Sequence, residues 1–289
     1  GVMSALYETL LGSMTVPGGV LSGVDRLVLV TDGSLTYLPF AALIDPSTGR
    51  YAVERFTLAS IPSASTLLAL RARDRAAGQD TRSAWVGAGF APTPIDLPGP
   101  VREVDDFVAR VPGRAFVGDE ATEAELRAAL EAGAVVHAAA HGRMNARNPL
   151  FTRLQLAPGS GEPEDDGLLH VHELLQLASR SPLVFLSACE TGLASSWAPG
   201  VVGGRDLSTL GQALLYGGTG TVVATLWTVE DQAAARFSNW FYDALEGQGP
   251  AAAVASAQRR MLASTSTSSP FYWAGYMVLG PEGQTTPVP

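Results

Sequence analysis

Residues 183–192 read LVFLSACETG, a short apolar run followed by a cysteine and a glycine. The apolar run 183–186 has the length and composition of a buried strand, and Pro182 and Gly192 bound the stretch. The run leads to Cys189, the only cysteine in the chain. A thiol that follows a buried strand lies at the edge of an open α/β sheet, where such sheets bind ligands. Because a lone cysteine is more often a small apolar core residue, the thiol needs a partner before it indicates chemistry.

The partner is a second stretch of the same design, residues 134–142, which read AVVHAAAHG. This stretch is predicted to be a strand over 134–141, and it ends in His141 and Gly142. The glycine allows a backbone N–H to approach a ligand closely. The separation of the two reactive residues is 189 − 141 = 48 residues, which leaves room for a hairpin and a helix between neighbouring strands. A single cysteine with a histidine this far upstream is typical of a cysteine nucleophile and its base.

Composition limits the classes of protein that this chain can represent. With 289 residues, 46% apolar and 16% charged, it is long and apolar enough for one large α/β domain or two small ones. A net charge of −9 argues against nucleic acid as a direct partner. No apolar run reaches the roughly 18–20 residues that span a bilayer, and no secretory signal pattern is visible. With one cysteine, no internal disulfide is possible, so we expect a cytoplasmic protein without membrane contact. The chain opens within a predicted helix, so we expect a fragment of a longer protein.

Strand and helix patterns alternate along the chain. A helix is predicted over 122–132, where Thr122 serves as N-cap, Glu125 completes a capping box and Gly133 ends the helix. Further predictions are strands at 26–31, 51–60, 83–90, 183–186 and 221–227, and helices at 63–77, 101–111, 207–216, 231–245 and 251–263. This alternation predicts a mostly parallel sheet with helices on both faces.

Several motifs in a fixed order carry a resemblance to a known family. They are RLVLVTDGSLTYLPFAAL (26–43), HAAAHG (137–142), DGLLHVHELLQL (166–177), PLVFLSACETG (182–192), TVVATLWTVEDQ (221–232) and FYWAGYMVLG (271–280). Together they resemble the CHAT domain, a caspase-like peptidase module of the clan that also holds caspases and separase. The resemblance covers roughly residues 5–280. It implies a caspase-like fold with an amino-terminal pseudo-peptidase-like half at 1–120 and a catalytic half at 121–280. We expect a disordered tail at 281–289.

The resemblance also implies a reaction and its residues. Cys189 and His141 fall on the family's catalytic dyad, and Gly142 falls on its glycine. The expected chemistry is hydrolysis of a peptide bond by thiolate attack, with His141 carrying the proton to the leaving amine. The backbone N–H groups of Cys189 and Gly142 would stabilise the oxyanion. No cofactor and no metal are expected, and no third catalytic residue is apparent.

Asp231 has two possible roles. It follows a predicted strand in the run 226–231, and it or Glu230 can cap the next helix, where carboxylates interact favourably with the helix dipole. The same run is similar to one in separase whose aspartate lines the pocket for a basic side chain. That similarity implies that Asp231 receives Arg or Lys at the position before the cut.

The other histidines leave alternatives open. His137 is interpreted as a hydrogen-bonded core residue or a support for the site, while His170 and His172 lie close to Asp165 and Asp166 in sequence. A metal site formed by these side chains is an open alternative, although the sequence does not mark a set of the three or four converging ligands that zinc needs. Two alternative functions are a catalytically silent caspase-like interaction module and a metal hydrolase that uses the histidines at 137, 141, 170 and 172. Cys189→Ala separates the peptidase from both.

The resemblance implies partners as well. Family peptidases are regulated and are typically joined to, or switched on by, a sensor such as a tetratricopeptide-repeat region, which would lie outside this chain. Their expected substrates are proteins, either gasdermin-like pore formers or CRISPR-associated proteins, in bacterial defence or regulated cell death.

Overall fold

The computed structural model describes residues 1–76, 85–92, 98–145, 147–160, 165–187 and 206–281. The strands in these residues are β1 (Arg26–Leu29), β2 (Thr57–Ser60), β3 (Gly87–Ala91), β4 (Gly113–Val117), β5 (Val135–Ala138), β6 (His141–Arg143), β7 (Arg153–Gln155), β8 (Leu168–His170), β9 (Leu183–Leu186), β10 (Thr221–Thr225) and β11 (Tyr276–Leu279). A large sheet contains eight strands in the order β1–β2–β11–β10–β9–β5–β3–β4, and a small sheet contains β6–β7–β8.

Neighbouring strands of the large sheet are parallel at every position except β10 and β11, which are antiparallel. Strands β1, β2 and β11 therefore run opposite to the other five. The strands β3, β5, β9 and β10 end at one edge, which we call the carboxyl rim. This arrangement confirms the predicted mostly parallel sheet.

Helices cover both faces of the large sheet, as predicted. They are α1 (Val2–Tyr7), α2 (Ser13–Thr15), α3 (Ala52–Arg55), α4 (Ala64–Ala76), α5 (Pro98–Val108), α6 (Glu123–Ala132), α7 (Val171–Leu174), α8 (Asp206–Tyr216), α9 (Asp231–Leu245) and α10 (Pro250–Ala263). One core cluster joins α4, α6, α7 and α8 to the face that carries Val136 and Val184. The other joins α3, α5, α9 and α10 to the face that carries Val135 and Phe185. Successive strand residues point to opposite faces, and helices cover both faces, so each of these four side chains is buried. Burial of each side chain stabilises the fold by about 1.5–3 kcal/mol.

Local capping explains one correct prediction and one wrong one. Helix α6 begins where Thr122 Oγ1 accepts from the Glu125 N–H at 3.3 Å, and it ends at Gly133, whose φ is +85°. The strand predicted over 51–60 is wrong in its first half, because α3 occupies Ala52–Arg55 and only Thr57–Ser60 is a strand. There the Glu54 carboxylate accepts from the Tyr51 N–H at 2.7 Å, and this local bond favours a helical turn over the extended chain.

Strands from both halves of the chain share the large sheet. Strand β2 is parallel to β11, and β3 is parallel to β5. The division into halves at 1–120 and 121–280 stays a prediction, and the predicted tail lies outside the described residues from residue 282 onward. Within the described part of the chain, no helix combines the length and the apolarity needed to cross a membrane.

Candidate active site

Strands β5 and β9 lead to the two residues predicted to react. They are parallel neighbours in a register that pairs Ala138 with Leu186, and the Ser187 N–H donates to the Ala138 carbonyl at 2.9 Å. The register offset is 186 − 138 = 48, which equals the separation of His141 and Cys189. Each of those two residues therefore follows the last paired residue of its strand by three positions. Cys189 itself lies outside the described residues.

The chain changes sheets just before His141. Strand β5 ends at Ala138, the Ala139 N–H still donates to the Phe90 carbonyl at 2.8 Å, and His141 is the first residue of β6. The single strand predicted over 134–141 is therefore two strands in two sheets, because pairing with β7 draws His141 away from the large sheet. His141 is exposed opposite Gln155, and the next residue, Gly142, is buried.

The small sheet has one buried and one open face. The residues at the middle of its three strands, Gly142, Leu154 and Leu169, are buried. The alternate positions form the open face and are His141, Arg143, Arg153, Gln155, Leu168 and His170. His141 is thus exposed on the open face of the small sheet.

Asp231 lies at the carboxyl rim as the first residue of α9, and it is exposed. Glu230 is the N-cap, with its Oε1 accepting from the Gln232 N–H at 3.4 Å, so the capping role belongs to Glu230. Asp231 instead packs against Gly99, near the start of α5. A β-carbon at position 99 would lie 2.8 Å from Asp231 Oδ2, so a larger residue there would require the Asp231 side chain to shift.

His137 is fully buried, as expected for a hydrogen-bonded core residue. Its Nδ1 lies 2.8 Å from the Tyr242 hydroxyl, and its ring is stacked between Phe107 and Phe185. Its Nε2 lies 3.2 Å from Glu103 Oε1 without the geometry of a hydrogen bond, and this contact is an ion pair when His137 carries a proton. Burial, and then the negative charge of Glu103, raise the pKa of Tyr242 well above its usual range. Sequence reasoning missed Glu103 and Tyr242, because they come from distant helices.

The carboxylate close to His170 and His172 is that of Glu173, and not those of Asp165 and Asp166. Glu173 Oε2 lies 3.1 Å from His170 Nδ1. Asp165 instead accepts from the Ser160 and Ala124 N–H groups, and Asp166 accepts from the Leu168 N–H. Glu173 could have been found from its capping-box spacing, three residues after His170.

The four histidines proposed for a metal hydrolase do not meet in one place. His137 is in the core between Phe107 and Phe185, whereas His170 and His172 both contact Phe151. Three side chains that can bind a metal do come together within the described part of the chain, and they are His170, His172 and Glu173.

Comparisons with known proteins place the chain in a family. The family model of the CHAT domain matches residues 2–281. Tetratricopeptide repeat protein 28 of mouse is 27% identical over 326 residues, and its human counterpart is 26% identical. These matches cover 96% of this chain and 13% of the length of either curated relative.

Solved structures show the same fold. Separase in the Saccharomyces cerevisiae separase–securin complex has a TM-score of 0.61 at 17% identity, over 88% of this chain and 15% of that one. The Arg-specific cysteine proteinase gingipain R has a TM-score of 0.53 at 14% identity, over 80% of this chain and 56% of that one. The predicted caspase-like fold is therefore confirmed.

Proposed function

Because the chain belongs to the CHAT domain family, we propose that it is a cysteine peptidase that cleaves a partner protein through Cys189 and His141. The observation that carries the proposal is the pairing of β5 with β9 at an offset of 48 residues. Adjacent parallel strands lie about 4.8 Å apart, and His141 and Cys189 each follow the last paired residue of their strand by the same number of positions, which supports their assignment as a pair.

The proposed reaction passes through an acyl-enzyme. His141 takes the thiol proton, and the Cys189 thiolate adds to the carbonyl carbon of the scissile bond. The N–H groups of Cys189 and Gly142 hold the resulting oxyanion. Collapse of this intermediate breaks the C–N bond as His141 gives the proton to the leaving amine. Water, deprotonated by His141, then hydrolyses the thioester and restores the thiol.

We assign Asp231 to the recognition of Arg or Lys before the cut. Its exposed position at the carboxyl rim and the use of Glu230 as the helix cap support this role. The fold shared with an Arg-specific proteinase points the same way. A carboxylate that pairs with a guanidinium away from water forms a strong charge-assisted hydrogen bond. Asp231→Asn should therefore lower kcat/KM for arginyl peptides by about 10–100-fold, since such bonds contribute about 1.5–3 kcal/mol.

The biological setting is proposed from the family. The substrate would be a gasdermin-like or CRISPR-associated protein of a bacterial defence or cell-death pathway in the cytoplasm. A repeat-containing sensor outside this chain would control cleavage, in keeping with the tetratricopeptide repeat proteins that the chain matches over 13% of their length.

The deciding experiment compares the parent chain with Cys189→Ala on an arginyl fluorogenic peptide, with an arginyl chloromethylketone as a label for the thiol. The parent should cleave the peptide and take up the label, and Cys189→Ala should do neither while keeping its melting temperature. Ser187→Ala, which removes a hydroxyl two residues before the thiol, is the matched control and should retain activity. If the parent shows neither cleavage nor labelling, the peptidase proposal is wrong and a silent interaction module is favoured. If cleavage survives Cys189→Ala, the assigned nucleophile is wrong.

A further inference from the structure

We propose that His170, His172 and Glu173 bind a transition-metal ion of the Zn²⁺ class. One ligand atom from each of the three side chains lies within 4.8 Å of the others. In a tetrahedral zinc site the bonds are about 2.0–2.1 Å, which sets the ligand atoms about 3.4 Å apart. The widest of the three separations therefore exceeds that spacing by at most about 1.4 Å, and His170 Nδ1 and Glu173 Oε2 already lie 3.1 Å apart.

The two imidazoles are already oriented together. Their ring centroids are 5.2 Å apart with an interplanar angle of 10°, so the rings are nearly parallel. The edge-to-face contacts of Phe151 with both rings, at 5.7 and 5.2 Å, hold them in this arrangement. Because the two rings already share one orientation, an ion would need little rearrangement of either side chain.

Glu173 has the outer hydrogen bonds of a carboxylate ligand. Its Oε1 accepts from Arg127 Nη2 at 2.7 Å, while Oε2 accepts from the His170 backbone N–H at 2.8 Å, faces His170 Nδ1 at 3.1 Å and retains a lone pair for an ion. Arg127 also pairs with the buried Glu123. Two carboxyl groups thus share one guanidinium, so Arg127 presents no uncompensated positive charge to a cation. Carboxylates that bind metals are commonly fixed by such second contacts, and here Arg127 can keep Oε1 while the ion takes Oε2.

The ligand set indicates the class of metal and its place in the molecule. Two imidazoles and one carboxylate suit Zn²⁺ and its transition-metal neighbours rather than Ca²⁺ or Mg²⁺, and they leave a fourth position for water. His170 stands in β8, and His141 stands two strands away in β6. The site therefore does not depend on the proposed peptidase function.

The test measures Zn²⁺ binding calorimetrically and Co²⁺ binding by its visible absorption, on metal-free chain carrying Cys189→Ala so that no thiolate competes. The chain that carries only Cys189→Ala is the parent of this series, and it should bind one ion per chain. Loss of a group that only hydrogen-bonds a metal ligand weakens metal binding by about 10–100-fold. His170→Ala and His172→Ala each remove a ligand itself, so each should weaken Zn²⁺ binding by more than that. Saturating Zn²⁺ should raise the melting temperature of the parent but not of these variants. His141→Ala, an exposed histidine on the same sheet face, is the matched control and should bind as the parent does.

Three results would overturn the site: no stoichiometric binding by the parent, undiminished binding by both histidine variants, or loss of binding in His141→Ala. Because His170→Ala alters a strand residue, His172→Gln on α7 provides a second variant, and melting curves without metal verify that each variant is folded. Peptide cleavage by chain that retains Cys189 is scored separately, so failure of the metal site and failure of the peptidase proposal remain distinguishable.

Discussion

His137 and His141 are four residues apart, and their surroundings are opposite. His137 lies in β5 with no solvent exposure, between Phe107 and Phe185 and bonded to Tyr242. His141 begins β6 and is exposed. The same residue type in the same short run therefore serves packing at one position and is available for proton transfer at the other.

The difference lies in which sheet each histidine belongs to. His137 pairs with Phe185 inside the large sheet, where helices cover both faces. His141 pairs with Gln155 in the small sheet, where one face is open. Substitutions at the two positions should therefore separate activity from stability.

The largest effect is expected from His141→Ala on cleavage of an arginyl peptide. Loss of a positioned acid–base group costs roughly 10²–10⁴-fold in rate, or about 3–5 kcal/mol in the barrier. Since the side chain is exposed, the free energy of unfolding should change by no more than about 0.5 kcal/mol. Steady-state kinetics and urea denaturation of one preparation measure both quantities. Full activity in this variant would show that His141 is not the acid–base group, and the contrast with His137 would be lost.

His137→Ala should mainly lower stability, whereas His141→Ala mainly lowers activity. The change leaves a cavity between two aromatic rings and strips Tyr242 and Glu103 of their buried partner, which should lower the free energy of unfolding by about 3 kcal/mol or more. Urea denaturation measures the loss, with His141→Ala as the control. A loss below about 1 kcal/mol would contradict the account of His137 as a buried, bonded core residue.

Tyr242→Phe sharpens the comparison by removing one atom. The ring remains, but His137 Nδ1 loses its buried partner, which should cost about 1–3 kcal/mol. A double-mutant cycle with His137→Ala should give a coupling energy of about 0.5–3 kcal/mol, because the two side chains touch. Additive losses would show that the 2.8 Å contact contributes nothing to stability.

Asp165→Asn should produce the smallest effect, at a partly exposed position. The hydrogen bond from the Ser160 N–H lowers the pKa of Asp165, burial opposes this to a smaller extent, and the bond from the Ala124 N–H in the first turn of α6 lowers the pKa further. A carboxyl group with a lowered pKa contributes stability above its unfolded pKa of about 3.9 and loses that contribution as the pH falls through the folded pKa. The variant should therefore be less stable by about 0.5–1 kcal/mol at pH 7, discounted for solvent screening. The difference should vanish in acid, and equal differences at pH 7 and pH 3 would contradict this assignment.

Local signals were sufficient for much of the fold. The apolar run of β9 was predicted with the bounds Leu183–Leu186, and α9 with the bounds Asp231–Leu245. Both have strong patterns of their own: a buried strand is continuously apolar, and the helix has a clear apolar stripe.

Contacts between distant residues could not be predicted in the same way. Glu103 is 34 residues before His137, and Tyr242 is 105 residues after it. Neither shows any local pattern that marks it as a partner. The exit of β5 into a second sheet likewise depends on pairing with β7, and the run of alanines before His141 gives no sign of it. Glu173 is the intermediate case, since its spacing from His170 is local but indicates a helix cap as readily as a metal ligand.

The antiparallel pairing of β10 with β11 gives the large sheet strand carboxyl ends at both of its edges. Strands β1, β2 and β11 point their carboxyl ends away from the carboxyl rim, toward the edge where β9 and β10 begin. The two edges are separated by the length of a strand, which is about 15 Å for four or five residues. Because ligands of open α/β sheets bind at the carboxyl ends of strands, this sheet offers such ends at two opposite edges rather than at one.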